Sequence, residues 1–387
     1  MAAPSYYFDY NATRPLATAV LDLLRNPPWG NPASLHTLGR QAAEIVEQCR
    51  AFLLQTLKLS STHQIIFHSG ATEGLNSLIL GRLHHLAAAP GLNTPSPYLI
   101  LGGGDHRAIY DLQRNTFLPM AADHVISLSL GPQGEFNLAQ AQEIMARLNG
   151  PAVLTYTAVN SETGVLWDLK DAATLKQNWG DKITIVVDAT QLPGKTAWPT
   201  FPPEIEGYVF SGHKMGALPG SGFSAIRQDL AWDVFLTGAG QQAGKRGGTE
   251  NVLGALALQR ALEDVLSFDL PQALAARKTI EQALAASYPA SRGPWQLIAA
   301  HAPRAVNTIS FLDTDPNFLW AYWNQHHIYT SLGPACSAAL AAPSPSLLQM
   351  GYSAKVAAQL VRLSFPPLTT ALANEYAQVL TRTWPPV

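Results

Sequence analysis

The chain has 387 residues with nearly half of them apolar, a formal net charge of −2 and only 13% charged residues. That supplies a large core, argues against a nucleic-acid surface and suits either two or three domains or one large domain with a smaller satellite. Two cysteines, Cys49 and Cys336, exclude a disulfide framework and point to a reducing cytoplasm; neither a signal peptide nor a membrane-spanning apolar run is visible.

In chain order, an amphipathic stretch over 35–57 comes first. Leu35, Leu38, Ala42, Ile45, Cys49 and Phe52 recur at helical spacing, which puts Cys49 on an apolar stripe as a small core residue. Short β-rich runs follow at 64–67, 98–101, 124–128, 152–156, 183–187, 208–211 and 223–226. Several are apolar throughout, as strands buried on both faces of a sheet are. Alternation of such runs with helical patterns predicts a large α/β domain over 15–260. A helical pattern over 251–287, a strand near 306–311, a helix near 316–325 and a last helix from about Thr369 predict a smaller α+β domain over 261–387, joined by residues 1–14. Residues 93–97 and 291–294 carry turn formers and read as surface loops.

Four segments could carry chemistry, and each lies where a strand ends. Ser69-Gly70-Ala71-Thr72-Glu73 reads as a phosphate cradle at a helix N-terminus, or as an ordinary capping box. Asp105-His106-Arg107 offers a flat imidazole that could stack on a ring, though a lone histidine is more often structural. Asp188 closes a buried valine run; it could pair with a protonated pyridine nitrogen or simply cap a helix. Lys214, in Ser211-Gly212-His213-Lys214, could form a covalent adduct with a carbonyl if desolvated, while a single lysine after a strand is commonly a surface one.

Eight segments in the same order carry a family resemblance: 9–15 (DYNATRP), 30–39 (GNPASLHTLG), 67–76 (FHSGATEGLN), 159–165 (VNSETGV), 187–195 (VDATQLPGK), 211–214 (SGHK), 244–251 (GKRGGTEN) and 331–337 (SLGPACS). The chain resembles the NifS/IscS-like cysteine desulfurases, class V aminotransferases of the fold-type I pyridoxal-phosphate (PLP) enzymes. The resemblance implies a mostly parallel seven-stranded sheet flanked by helices, with a smaller α+β domain, and the cofactor pyridoxal 5'-phosphate. It implies that Lys214 holds the cofactor, Asp188 faces the pyridine nitrogen, Gln191 donates to the ring hydroxyl and His106 stacks on the ring and shuttles protons. Ala71, Thr72, Ser211 and His213 would bind the phosphate. Thr249 would reach the phosphate of the neighbouring subunit, which implies a homodimer. Arg362 would grip the substrate carboxylate with Asn11 beside it, and Cys336 would receive sulfur from L-cysteine as a persulfide. No metal is implied.

The chain departs from the family pattern at three places. Where two asparagines are usual it has Asn160-Ser161, so Ser161 takes the position that contacts the cofactor beside Asn160. The usual Gly-Gly-Gly-Gln-Glu-Arg run is Gly-Ala-Gly-Gln-Gln-Ala at 238–243, without the charged pair. The sequence stops at Val387, short of the tail with which some members dock to an iron–sulfur scaffold. The sulfur acceptor is a protein or a small thiol, and the pathway served, iron–sulfur cluster assembly, tRNA thiolation or another, stays open. Alternatives of other classes are a selenocysteine or cysteine/cystine C–S lyase, a class V aminotransferase, and a non-catalytic partner subunit; Cys336 discriminates against the first two and the intact Lys214, Asp188 and His106 against the third.

Overall fold

The computed structural model describes residues 5–88, 95–333 and 342–386. All seven apolar runs form strands of one sheet: β1 (His63–His68), β2 (Tyr98–Leu101), β3 (Val125–Ser127), β4 (Ala152–Thr157), β5 (Ile183–Asp188), β6 (Gly207–Ser211) and β7 (Gly222–Arg227). Their order is β1-β7-β6-β5-β4-β2-β3, and β7 alone runs antiparallel to its neighbours. The carboxyl ends of β1, β2, β4, β5 and β6 therefore share one edge of the sheet, where ligands of open α/β sheets bind.

Side chains of the strands alternate between the two faces. Val153, Val186 and Val209 face one apolar core with Leu75, Leu78 and Leu83 of helix α2 (Ala71–Ala87). Ile185, Val187, Tyr208 and Phe210 face the other, which includes helices α1 (Thr37–Leu57) and α3 (Val252–Leu266). Gly74 sets how closely α2 lies on the sheet. A Cβ there would fall 2.4 Å from His68 Nε2 and 2.8 Å from Val209 Cγ1. Any larger residue would lift the helix and its N-terminus off the strand ends.

The stripe of α1 is rotated from its sequence-based assignment. Gly39, Ala42, Val46, Cys49, Leu53 and Leu57 are buried, whereas Leu38 is 39% exposed and Leu35, ahead of the helix, is 87% exposed. Helical spacing alone does not say which of two overlapping apolar stripes faces the core. Likewise the 251–287 pattern is two helices, α3 and α4 (Leu270–Ser287). Pro271 has no N–H with which to continue a helix, and Asp269 caps the new one by accepting from Gln272 N at 2.9 Å.

A third core gathers Phe8, Ile280, Phe311, Trp323, Val361 and Leu380. It lies under an antiparallel sheet of β8 (Gln296–Leu297), β9 (Thr308–Leu312), β10 (Ser331–Leu332) and β11 (Leu360–Ser364), ordered β10-β11-β9-β8. Helices α4 and α5 (Thr370–Arg382) pack on each other against it. The N-terminal segment joins this unit through parallel pairing of Tyr6–Tyr7 with Ile328–Tyr329. No helix among the described residues is long and apolar enough to cross a membrane.

Candidate active site

A cavity of about 440 Å³ opens at the shared edge of the large sheet. Each strand delivers a residue to it by ending there. Strand β1 leads through Ser69 and Gly70 into α2, β2 leads to His106, β5 ends on Asp188, and β6 ends on Ser211 ahead of a tight turn bearing His213 and Lys214. Ala71, Thr72, His106, Ser161, Asp188, Gln191, Ser211, His213 and Lys214 all line this cavity, as do Asn11 and Arg362.

The N-terminus of α2 has no side-chain cap: Gly70 holds the N-cap place, and the carboxylate of Glu73 accepts from Ser69 N at 2.8 Å instead. Unpaired first-turn N–H groups at the positive end of a 17-residue helix make an anion site. Arg246 grips Glu73 through Nε at 2.8 Å. Burial acts upward on that carboxyl, but hydrogen bonds from Arg246 and Ser69 outweigh it and bring it down to about 2.

At the other end, Lys214 Nζ donates to the carbonyls of Asn11 at 2.8 Å and Ala12 at 2.6 Å. His106 caps the short helix Arg107–Tyr110 by accepting from Ala108 N at Nδ1, 3.1 Å, which leaves Nε2 as the proton-bearing nitrogen. Burial and the cations Lys214 and Lys195 pull His213 down to about 4, so it is a neutral donor near pH 7. Asp188 accepts from Thr190 N at 3.0 Å and is 7% exposed. Arg362, 1% exposed, sits in β11 and donates Nη2 to Asp9 Oδ1 at 2.7 Å and Nη1 to Ser161 O at 3.0 Å. Its Nε has no partner. A buried guanidinium N–H without an acceptor is costly unless a ligand supplies one, and a carboxylate would.

Three sequence-based site residues are not among these. Asn160 lies off the cavity wall: its Nδ2 donates to Gly104 O and Ser346 Oγ, and its Oδ1 accepts from Glu162 N and Thr163 N. Its amide is consumed in bracing the turn that presents Ser161. Thr249 is exposed and away from this cavity. Cys336 falls outside the described residues, but both flanks of its segment are at the site. Ser331 pairs with Arg362 across β10 and β11, and Pro345 lines the cavity.

Sequence reasoning missed Asp9, Asp105 and Glu162, each present in a quoted segment but given no role. Asp9 pairs with Arg362; burial pushes its carboxyl up while Arg362 and Lys214 pull against it. Asp105 accepts from Gly102 N at 2.7 Å and Thr155 Oγ1 at 2.8 Å, and burial raises it to about 6. Glu162, raised by burial, receives the Ser344 hydroxyl and so ties the chain after the Cys336 segment to the end of β4. An acidic residue next to each ligand-facing one was the available signal. Cys49, the free cysteine among the described residues, is buried and pushed up to about 11 by that burial.

The donor set fits PLP on three observations: an uncapped helix N-terminus for a phosphate, an amine able to bond a carbonyl, and a buried carboxylate for a pyridinium. Comparisons with known proteins identify the family. The model of the class-V aminotransferase family matches residues 6–372. "Cysteine desulfurase 2" of Trichormus variabilis is 31% identical, across 94% of this chain and 89% of that one. The "IscS-like cysteine desulfurase" of Mycobacterium tuberculosis is 25% identical, across 92% of this chain and 90% of that one. The NifS-like protein of Rickettsia africae superposes with a TM-score of 0.82 at 23% identity, covering 98% of this chain and 99% of that one. The chain belongs to the class-V aminotransferase family, within its NifS/IscS-like cysteine desulfurase group.

Proposed function

We propose that this protein is a PLP-dependent cysteine desulfurase that converts L-cysteine to L-alanine and collects the sulfur as a persulfide on Cys336. The observation that carries the reading is one cavity in which Lys214, Asp188 and His106 face Arg362, with both flanks of the Cys336 segment at its rim.

Lys214 would hold the cofactor covalently, Asp188 its pyridine nitrogen, Gln191 its hydroxyl, and the α2 N-terminus with Thr72, Ser211 and His213 its phosphate. Bound there, PLP supplies an electron sink for carbanion chemistry at the substrate α-carbon. The chain does the rest. The free Nε edge of Arg362 receives the substrate carboxylate, a task suited to a planar fork already fixed by Asp9 and Ser161. Lys214 Nζ is placed to take and return the substrate α-proton, and Nε2 of His106 to move a second proton. The Cys336 thiolate bonds to the substrate sulfur as the carbon–sulfur bond breaks. The electron pair of the broken bond stays with the carbon skeleton, which takes up one proton at the β-carbon, regains one at the α-carbon and leaves as alanine.

The same reading includes a homodimer in which Thr249 completes the neighbouring site, a cytoplasmic setting, and transfer of the persulfide to an acceptor protein or small thiol. It also divides the chain into a PLP-binding domain over 15–260 and a small domain over 1–14 and 261–387, the small one built around the core of Phe8, Phe311 and Trp323. The test is alanine formation from L-cysteine with a thiol reductant, comparing wild type with Cys336→Ala. Alanine from wild type alone supports the reading. Alanine from both removes Cys336 from the reaction, and none from a PLP-loaded wild type removes cysteine as substrate.

A further inference from the structure

Lys195 lies behind the cavity rather than on its lining and is 5% exposed. It closes the segment that carries Asp188 and Gln191, and its backbone is fixed by Val306 N donating to Lys195 O at 2.8 Å. Its Nζ donates to two side-chain amide oxygens, Asn11 Oδ1 at 3.0 Å and Gln191 Oε1. An asparagine or glutamine amide has distinct ends, a carbonyl that accepts and an NH₂ that donates. Tying down both oxygens leaves each NH₂ group only one way to point. Gln191 Nε2 turns to Asn11 O at 2.9 Å, the carbonyl that also accepts from Lys214 Nζ. Asn11 Nδ2 turns to Thr308 Oγ1 at 3.0 Å and Ser161 O at 3.2 Å, the carbonyl that also accepts from Arg362. One amine thus orients two amides, one reaching the Lys214 anchor and the other the Arg362 anchor.

We propose that Lys195 is a positioning residue of this site, acting through Gln191 and Asn11. The inference rests on the functional reading above. Without the Lys195 donor the Gln191 amide could rotate by half a turn and present a carbonyl where the cofactor hydroxyl or a backbone acceptor needs an N–H, and Asn11 Oδ1 would keep only the longer bond from Asn307 Nδ2 at 3.4 Å. The charged groups that face Lys195 are Lys214, Arg362, Arg14 and Asp9, and burial together with the three cations pushes its pKa well below the usual lysine range. The role does not depend on charge. A neutral amine keeps two N–H donors, which matches the two acceptors here.

The test is a double-mutant cycle on the PLP-loaded enzyme with Lys195→Met, Gln191→Leu and both together. The readouts are the pH midpoint of the bound cofactor's visible absorbance and the cofactor dissociation constant on dilution. Loss of one oriented hydrogen bond is worth about a tenfold change, or about one pH unit in the midpoint. We expect Lys195→Met to give an effect of that size and the double variant to fall clearly short of the sum of the two single effects, because part of the Lys195 effect runs through Gln191. A wild-type midpoint and affinity in Lys195→Met, or effects that simply add in the double variant, would overturn the inference. Should Lys195→Met fail to fold, the same cycle is run with Lys195→Gln, which keeps a polar end of shorter reach. A wild-type enzyme that holds no PLP sinks the functional reading instead, so the two failures are distinguishable.

Discussion

The two walls of the cavity are built on different principles. One wall is the row of strand ends: Thr72, His106, Asp188, Ser211 and Lys214 each follow directly from a strand of the large sheet. Backbone pairing sets their spacing, so their placement is a by-product of the sheet. The other wall, Asn11 and Arg362 with Asp9 behind Arg362, is assembled by side chains across most of the chain. Arg362 reaches Asp9 over 353 residues, and Asn11 N reaches Ser364 Oγ over the same separation. The first wall needs the fold; the second needs particular hydrogen bonds. Substitutions should therefore separate chemistry from assembly according to the wall they strike.

The largest effect is expected on the strand-end wall. Lys214→Ala should lower alanine formation by ~10³-fold or more, the upper range for loss of a positioned acid–base group, while thermal stability changes little. A melting temperature that collapses along with activity would erase the distinction between the walls.

On the opposite wall the order reverses. Arg362→Ala leaves the Asp9 carboxylate without its cation and should cost ~3 kcal/mol of stability, read by urea unfolding, as well as the substrate carboxylate contact. Arg362→Lys keeps a charge but loses the fork, so it should raise KM for cysteine more than it lowers kcat. An Arg362→Ala protein as stable as wild type would contradict the assembly role given to this pair.

The acid limb sharpens the comparison further. Asp105 titrates at about 6 in the folded protein because it is buried, against ~3.9 in an unfolded chain. A folded pKa above the unfolded one contributes stability that is full below ~pH 4 and lost as pH rises through 6. Asp105→Asn should therefore gain on wild type in melting temperature between pH 4 and pH 7. A difference that stays flat over that range would mean Asp105 titrates normally. The smallest effect belongs to neither wall: Cys49→Ala should cost ~1 kcal/mol by core loosening and leave alanine formation unchanged. Its thiol, pushed up to about 11, should resist alkylation at pH 8.

The same contrast explains what could be read from the sequence. Strand runs such as 183–187 are apolar throughout because both faces are covered, and all seven appear in the sheet within a residue or two of their sequence-based ends. The strand-end residues inherit that legibility. Periodicity failed where packing partners decide, as at the start of α1, where Leu38 fits a helical stripe but is 39% exposed and Leu35 falls ahead of the helix. The Pro271 break was in plain view, yet a continuous apolar pattern masked it. Arg362 and Asn11 came only from family resemblance, since no local rule links positions 353 residues apart. Asp9, Glu162 and Lys195 show why the rest stayed hidden. Each has a partner in a distant segment, and an isolated charge in a sequence does not announce that it will be buried.

The most direct test of the account is a single turnover. PLP-loaded enzyme is mixed with L-cysteine without reductant, alanine is quantified, and the peptides are mapped by mass. The account predicts one equivalent of alanine per active site and one added sulfur on the peptide containing Cys336, with the Cys49 peptide unchanged. Alanine formed with no sulfur on Cys336 would contradict it.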